Sequence, residues 1–344
     1  MYFTPRRALC VALAGVRDLL HLSDPIHEGM RRIPKDPRSC AAQFRLEPVT
    51  CQYVSCPTCH CLYPYNPGNS PDSLLHLITM HCTHRKTPQS AECGTNLWKI
   101  VSVGTRKRYA PRRKYLHQVL KHWVGRLLSR RGIEDHLDVA QNPLPDDGDA
   151  PIHDIWLSEV FQTLRDSAGD PFLLPPAGET RLVFSLSVDG FNPYFNKVAG
   201  VIASTTGMWL VVLNLPPHLR HLPQNVCFLG AIPDKPAMEQ INHYIKLVVD
   251  DLLEFWSPGV FVSRTYNCTA GKVCRGMLVP VVADMLAARQ VIGRPISTTA
   301  HHFCTFCDLD FDDIDVLDLA EWPAKTWIIS VTSRLSGKKH QMTR

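Results

Sequence analysis

Eight of the thirteen cysteines of this chain fall between residues 10 and 93, and two of them form the pair Cys56-Pro-Thr-Cys59. Two thiols spaced this way on a tight turn are half of a tetrahedral metal site. The total is odd, so the cysteines do not pair off completely into disulfides, and the spacing reads as metal ligation. A Cys/His/Pro-rich stretch of about fifty residues has too little apolar side chain to fold on a core of its own. A metal staple would therefore dictate the fold of residues 51–97. The expected set is structural Zn²⁺ on Cys56, Cys59, Cys82 and Cys93. His60, His81 and His84, together with Cys51 and Cys61, keep the choice of ligands open on spacing alone. A second run, His301-His302-Phe303-Cys304-Thr305-Phe306-Cys307, offers two further thiols. Cys304 and Cys307 read equally as half of a second zinc site and as a buried pair.

Charge divides the chain. The net charge is +5 over 344 residues, with about +8 carried by residues 1–150 and −3 by the rest. From Cys93 to Gly132 there is no Asp or Glu. Within that run lie Arg106, Lys107, Arg108, Arg112, Arg113, Lys114, Lys121, Arg126, Arg130 and Arg131. Tyr115, Leu116, Val119, Leu120, Trp123, Val124, Leu127 and Leu128 fall on one stripe at helical spacing. Residues 98–138 are therefore expected to be a basic amphipathic helical segment that packs on one side and shows cations on the other. Such a face neutralises phosphates without reading sequence, and the same run reads as a nuclear-localisation patch. No stretch approaches the roughly 18 apolar residues of a membrane span. Residues 1–50 form a poorly defined leader with a helical hint near 16–22.

Residues 139–180 have the Pro, Gly and Asp content of a linker, with one short helix expected over 155–164. From Arg181 the pattern changes. Leu182, Phe184, Leu186 and Val188 alternate with Val183, Ser185, Ser187 and Asp189, the period of a strand with one buried face. Residues 208–213 read as a central strand, and 226–232 as a third. A helix follows with Met238, Ile241, Ile245, Val248, Leu252 and Phe255 along one stripe. Two more strands, at 259–263 and 273–283, and a helix from 287 complete the pattern, with Pro280 pointing to an edge or bulge. Periodicity gives a mixed α/β domain, in the element order of an RNase H-like fold. Asp189, before Gly190, and Asp284, before a helix, read simply as a turn residue and an N-cap. They are also the residue type, at strand ends, that holds two divalent ions for phosphodiester chemistry.

Several blocks resemble the catalytic region of CACTA-type (En/Spm-like) DDE transposases, most closely the fungal branch. They are Ser187-Val-Asp189-Gly-Phe-Asn-Pro193, Leu213-Asn-Leu-Pro-Pro217, Ile232-Pro233 and Asn242-His-Tyr-Ile-Lys-Leu-Val-Val-Asp-Asp-Leu-Leu253 with Trp256 and Gly259-Val260. Val282-Ala-Asp284-Met-Leu-Ala-Ala288, Gly293 and Phe303-Cys-Thr-Phe-Cys307 continue the series. The unit from Cys56 to Cys93-Gly94 is similar to the cysteine-rich leader of the fungal members. The resemblance implies an RNase H-like domain over 181–325, Mg²⁺-dependent cleavage and strand transfer, and cut-and-paste movement of double-stranded DNA with transposon ends as the partner. It also implies self-association and a nuclear location. Asp189 would be the first catalytic carboxylate and Asp284 the second, and Cys304 and Cys307 would belong to the insertion after it. The family uses a third carboxylate on a later helix. The likeness stops near Lys325, and residues 326–344 do not resemble the continuation, so a catalytically incomplete domain is expected. The competing expectation is a non-catalytic DNA-binding or assembly protein derived from a transposase.

Overall fold

The computed structural model describes residues 36–43, 47–66, 79–137, 154–192, 204–292 and 315. The chain separates into two compact units, Met1–Val282 and Ala283–Arg344. In the first, helix α1 (Pro37–Gln43) precedes strands β1 (Thr50–Ser55) and β2 (Leu62–Pro64). Strands β3 (Trp98–Val103), β4 (Arg106–Pro111) and β5 (Lys114–Gln118) follow, then helix α2 (Leu120–Leu128). The short helix α3 (Glu159–Gln162) leads to β6 (Glu179–Phe191), β7 (Thr205–Val212), α4 (Pro217–Arg220) and β8 (Val226–Pro233). Helix α5 (Asn242–Trp256), β9 (Val260–Val262) and β10 (Lys272–Ala283) complete the unit. The helix hint near 16–22 lies outside the described residues.

The expectation of a helix throughout 98–138 is corrected: only Leu120–Leu128 is helical within the stretch that packs its apolar stripe. Residues 98–111 form an antiparallel hairpin, with Val101 opposite Arg108 and Val103 opposite Arg106. Its two-residue turn begins at Gly104, whose φ of +61° suits a residue without a side chain. Lys114–Gln118 is a strand because β1 captures its backbone, Tyr53 facing Tyr115 and Cys51 facing His117. Tyr115 is therefore buried while Leu116 is exposed, an alternation no helix would give. The sequence pattern misleads here because the deciding partner lies about sixty residues upstream. The resulting sheet, β2-β1-β5, joins the cysteine segment to the basic segment.

The second sheet has the order β8-β7-β6-β10-β9. β6, β7 and β8 are an antiparallel meander, Leu186 opposite Leu210 and Thr206 opposite Ile232. β9 pairs antiparallel with Lys272, Val273 and Cys274 of β10. Pro280 thus lies beyond that pairing, on the part of β10 where a missing N–H costs no bond to β9. The Ser187 hydroxyl donates to the Val282 carbonyl at 3.2 Å. Strand β6 is not half-buried as its alternation suggests, because 182–186 are buried on both faces. Phe184 meets Phe255 of α5 edge-on, with ring centroids 6.1 Å apart. On the opposite side Val183 joins Phe161, Phe172, Val211 and Leu213 in a second cluster.

The Leu213-Asn-Leu-Pro-Pro217 block has a structural reason. The buried Asn214 carboxamide accepts from the Val183 N–H at 2.7 Å and donates to the Leu137 and Arg181 carbonyls at 3.0 Å each. It continues the ladder where β7 has ended. Arg181 beside it is buried, donating to Glu179 at 2.6 Å and to Asp166 at 3.0 Å. The three-stranded and five-stranded sheets pack through β5 against β8. Gly230 makes that approach close, since a Cβ there would lie 2.7 Å from the Tyr115 hydroxyl. In the second unit, α6 (Met285–Ile292) follows Asp284. No helix among the described residues is long and apolar enough to cross a membrane.

Candidate metal centre

Strand β1 delivers Cys56 to a tight turn. The Cys56 N–H donates to the Cys61 carbonyl at 2.9 Å, and the His60 N–H returns to the Cys56 carbonyl at 3.1 Å. This places Cys59 beside Cys56, with the Thr58 N–H 3.4 Å from the Cys56 Sγ. The other half comes from an irregular ribbon over residues 80–97. Cys82 N–H donates to the Thr95 carbonyl, and Gly94 and Cys93 N–H donate to the Cys82 and His84 carbonyls, each at 2.8 Å. Cys82 and Cys93 are thereby set side by side, facing the turn.

The four Sγ atoms of Cys56, Cys59, Cys82 and Cys93 lie within 4.8 Å of one another. Cys59 and Cys82 are 3.4 Å apart, and Cys56 and Cys93 are 3.8 Å apart. Four sulfurs on a tetrahedral zinc at about 2.3 Å stand about 3.8 Å from each other, so the spacing fits that ion. None of the four is in a disulfide. The Tyr63 hydroxyl donates to Cys82 Sγ at 3.2 Å, and the Thr95 hydroxyl lies 3.2 Å from Cys93 Sγ. These are the outer hydrogen bonds that orient thiolate ligands. Burial pushes the Cys59 thiol well above its ordinary range and the Cys82 thiol up to about 11. Burial acts the same way on Cys93, but the Thr95 hydroxyl and N–H and the neighbouring Cys56 and Cys59 outweigh it and hold that thiol down at about 7. A divalent cation would take all four as thiolates.

The alternatives left open by spacing resolve by geometry. Cys51 is exposed on β1, and Cys61 packs against the cluster from outside it. His84 meets His243 of α5 edge-on at 4.9 Å. His60 turns away from the sulfurs, its Nδ1 3.0 Å from the Tyr244 hydroxyl and its Nε2 3.2 Å from Arg113. Arg113 only donates, so Nε2 accepts and Nδ1 carries the proton. The Tyr244 hydroxyl is in turn hydrogen-bonded to Ser55 Oγ at 2.7 Å, where either oxygen can donate. Burial first, and the Arg113 charge second, bring His60 down to about 4, which keeps the ring neutral in this relay. Arg113 also pairs with Asp234 just past β8. Sequence reasoning missed this network, although Tyr244 stands one helical turn before Val248 on the buried stripe of α5.

The ten cations expected to form one helical face do not do so. Arg112 donates to the Trp98 carbonyl at 3.0 Å, and Lys114 sits over the Tyr65 ring at 5.4 Å. Lys121 pairs with Glu254 at 3.0 Å. Arg126 donates to the Glu47 carbonyl, and Arg130 to Gln224 and Asn225 at 3.1 and 2.6 Å. With Arg113 these serve the fold, because α2 packs its stripe inward and its flanking cations reach neighbouring elements. Lys107, Arg108 and Arg131 are exposed, and Arg106 opens β4.

Asp189 is exposed on β6 opposite Gly207. The strand continues through Gly190 to Phe191, so Asp189-Gly190 is no turn: cross-strand pairing with Thr205 and Thr206 carries it on. Asp284, in the second unit, accepts from the Ala287 N–H at 2.7 Å, the geometry of an N-cap. Cys304 and Cys307 lie outside the described residues.

Residues 176–323 match the transposase family tnp2, a stretch that contains Asp189 and Asp284 and begins well after the four-cysteine centre. No curated protein matches the chain. The match supports a transposase-like protein.

Proposed function

We propose that this chain is a DNA-acting protein of the CACTA transposase type, built from a zinc-stapled front unit and an RNase H-like domain. The observation that carries the reading is the family match over residues 176–323. Two features of the chain support the finer points. The antiparallel meander β6-β7-β8, then α5, then β10 beside β6 are in keeping with an RNase H-like domain, with β9 as an additional antiparallel edge strand. Asp189 stands on β6 of the first unit, and Asp284 precedes α6 in the second, each within the stretch that matches the family.

Asp189 and Asp284 offer only oxygen, the donor type that magnesium takes. The family likeness, and not their placement in two separate units, assigns them to Mg²⁺, which when bound would supply Lewis-acid activation of a phosphodiester. Asp189 is exposed and so open to a substrate backbone. The Asp284 carboxylate, held by the Ala287 N–H through one oxygen, has the other to offer. The family likeness assigns two of the three carboxylates that such chemistry uses. Catalysis is therefore proposed to be incomplete in this chain, with DNA binding in the nucleus as the retained activity.

Incubation of the zinc-loaded protein with supercoiled plasmid and Mg²⁺ or Mn²⁺ tests this. Retained binding without nicking is expected. Nicking that disappears in Asp189→Asn would show a competent active site and overturn the incompleteness. Absence of any DNA binding would overturn the reading as a whole.

A further inference from the structure

We propose that the β3–β4 hairpin is the duplex-DNA contact of this protein, a basic ribbon held in place by the four-cysteine centre. The inference rests on the DNA-acting reading and names the surface through which it works.

The hairpin is a sheet of its own, with six residues on each strand. Beyond its base the hairpin is exposed: Ile100 is 60 % exposed, and Lys99, Ser102, Gly104, Thr105, Lys107 and Arg108 are exposed as well. It contains no acidic residue. Lys99, Lys107 and Arg108 have no hydrogen-bond or ion-pair partner among the described residues. That separates them from Arg112, Arg113, Lys114, Lys121 and Arg130, whose charges are engaged within the fold. Lys99 and Arg108 share one face of the ribbon, through the pairs Lys99–Ala110 and Val101–Arg108. Lys107, opposite Ser102, lies on the other. Cations on both faces suit a ribbon with a phosphate strand on either side.

The shape selects the nucleic acid. Two strands about 4.8 Å apart and about 20 Å long fit a B-form major groove about 12 Å wide. The major groove of duplex RNA is too narrow to take them. Single strands are held by stacking on exposed rings, and the two aromatic residues of the hairpin are turned inward. Trp98 is buried and Tyr109 packs on the core that includes Cys56 and Cys82. The Trp98 indole N–H donates to the Thr79 carbonyl at 3.0 Å, and its ring meets Tyr65 edge-on at 5.6 Å. The base of the ribbon is thus set in the same small core as the metal ligands.

The test uses the full zinc-loaded chain and a duplex of random sequence, with affinity measured across a salt series. Lys99→Gln/Lys107→Gln/Arg108→Gln is compared with Lys86→Gln/Lys121→Gln/Lys246→Gln, three exposed lysines each paired with a carboxylate. Both triples remove the same charge. The hairpin triple is expected to bind at least about tenfold more weakly at 0.1 M salt and to lower the salt slope by about three, one for each phosphate no longer neutralised. The control triple should stay within about threefold of the parent. Equal effects of the two triples overturn the hairpin assignment and leave the DNA-acting reading intact. A parent that binds single strands in preference to duplex also overturns it. A parent that binds no DNA overturns both. Unchanged zinc content in each variant shows that the front unit is still folded.

Discussion

Tyr244→Phe removes one oxygen and leaves the ring. Tyr244 is fully buried and packs edge-on to Tyr115 with centroids 4.8 Å apart, an arrangement that phenylalanine keeps. The change takes away the centre of the relay from His60 to Ser55. The His60 Nδ1–H, 3.0 Å from the hydroxyl, and the Ser55 Oγ, 2.7 Å from it, lose a partner together. Ser55 is fully buried and His60 is 5 % exposed, so water does not freely replace the bond. Two orphaned buried groups at about 1–3 kcal/mol each predict a destabilisation of about 2–4 kcal/mol after local relaxation. Urea unfolding followed by tryptophan fluorescence reads it as a lower midpoint at unchanged slope. The double variant Tyr244→Phe/Ser55→Ala should cost less than the sum of the two single changes, since it leaves only one group unpaired. A destabilisation under about 0.5 kcal/mol for Tyr244→Phe, a size typical of changes far from any buried network, would refute the relay. So would strict additivity with Ser55→Ala.

Two further outcomes follow from packing and charge. Gly276→Ala would place a Cβ 2.7 Å from the Phe184 ring and 3.2 Å from the Phe255 Cβ, so a destabilisation of about 1–3 kcal/mol is expected in the same unfolding assay. Glu134 is held below the ordinary carboxylate range: burial opposes this, but the Lys272 ammonium at 2.9 Å and the Asn267 N–H at 2.8 Å outweigh it. A carboxyl lowered in the folded state stabilises fully above its unfolded value, near pH 4.3, and loses that contribution as pH falls through the lower folded value. Glu134→Gln should flatten stability against pH below about 4.3 and leave the profile above pH 6 parallel to the parent. An unchanged acid limb would contradict the pairing.

The parts of the fold that local pattern decides were legible in the sequence. β6 through β8 announce themselves by alternation and apolar runs, and α5 by its stripe. The basic segment was not legible, because Tyr115, Leu116, Val119 and Leu120 fit a helical stripe as well as they fit a strand followed by a helix. Pairing of Tyr115 with Tyr53 decides between them, and no local period reports a partner that distant. The cysteine set was half legible. C-x-x-C fixes Cys56 and Cys59, whereas the choice of Cys82 and Cys93 over three histidines depends on a ribbon whose hydrogen bonds are visible only in three dimensions. The cations misled for a related reason: a run without acids shows abundance of charge but not which charges the fold will use.

Metal content is the most direct test of the structural core of this account. The protein purified without chelator should carry at least one zinc per chain by atomic emission, and cobalt exchange should give the intense visible bands of a tetrahedral thiolate site. Cys82→Ser should lose one equivalent of metal, while Cys61→Ser, just outside the four-sulfur set, should keep it. A metal-free protein with an unchanged fold, or zinc that persists without Cys82 and departs without Cys61, would contradict the centre and the ribbon built upon it.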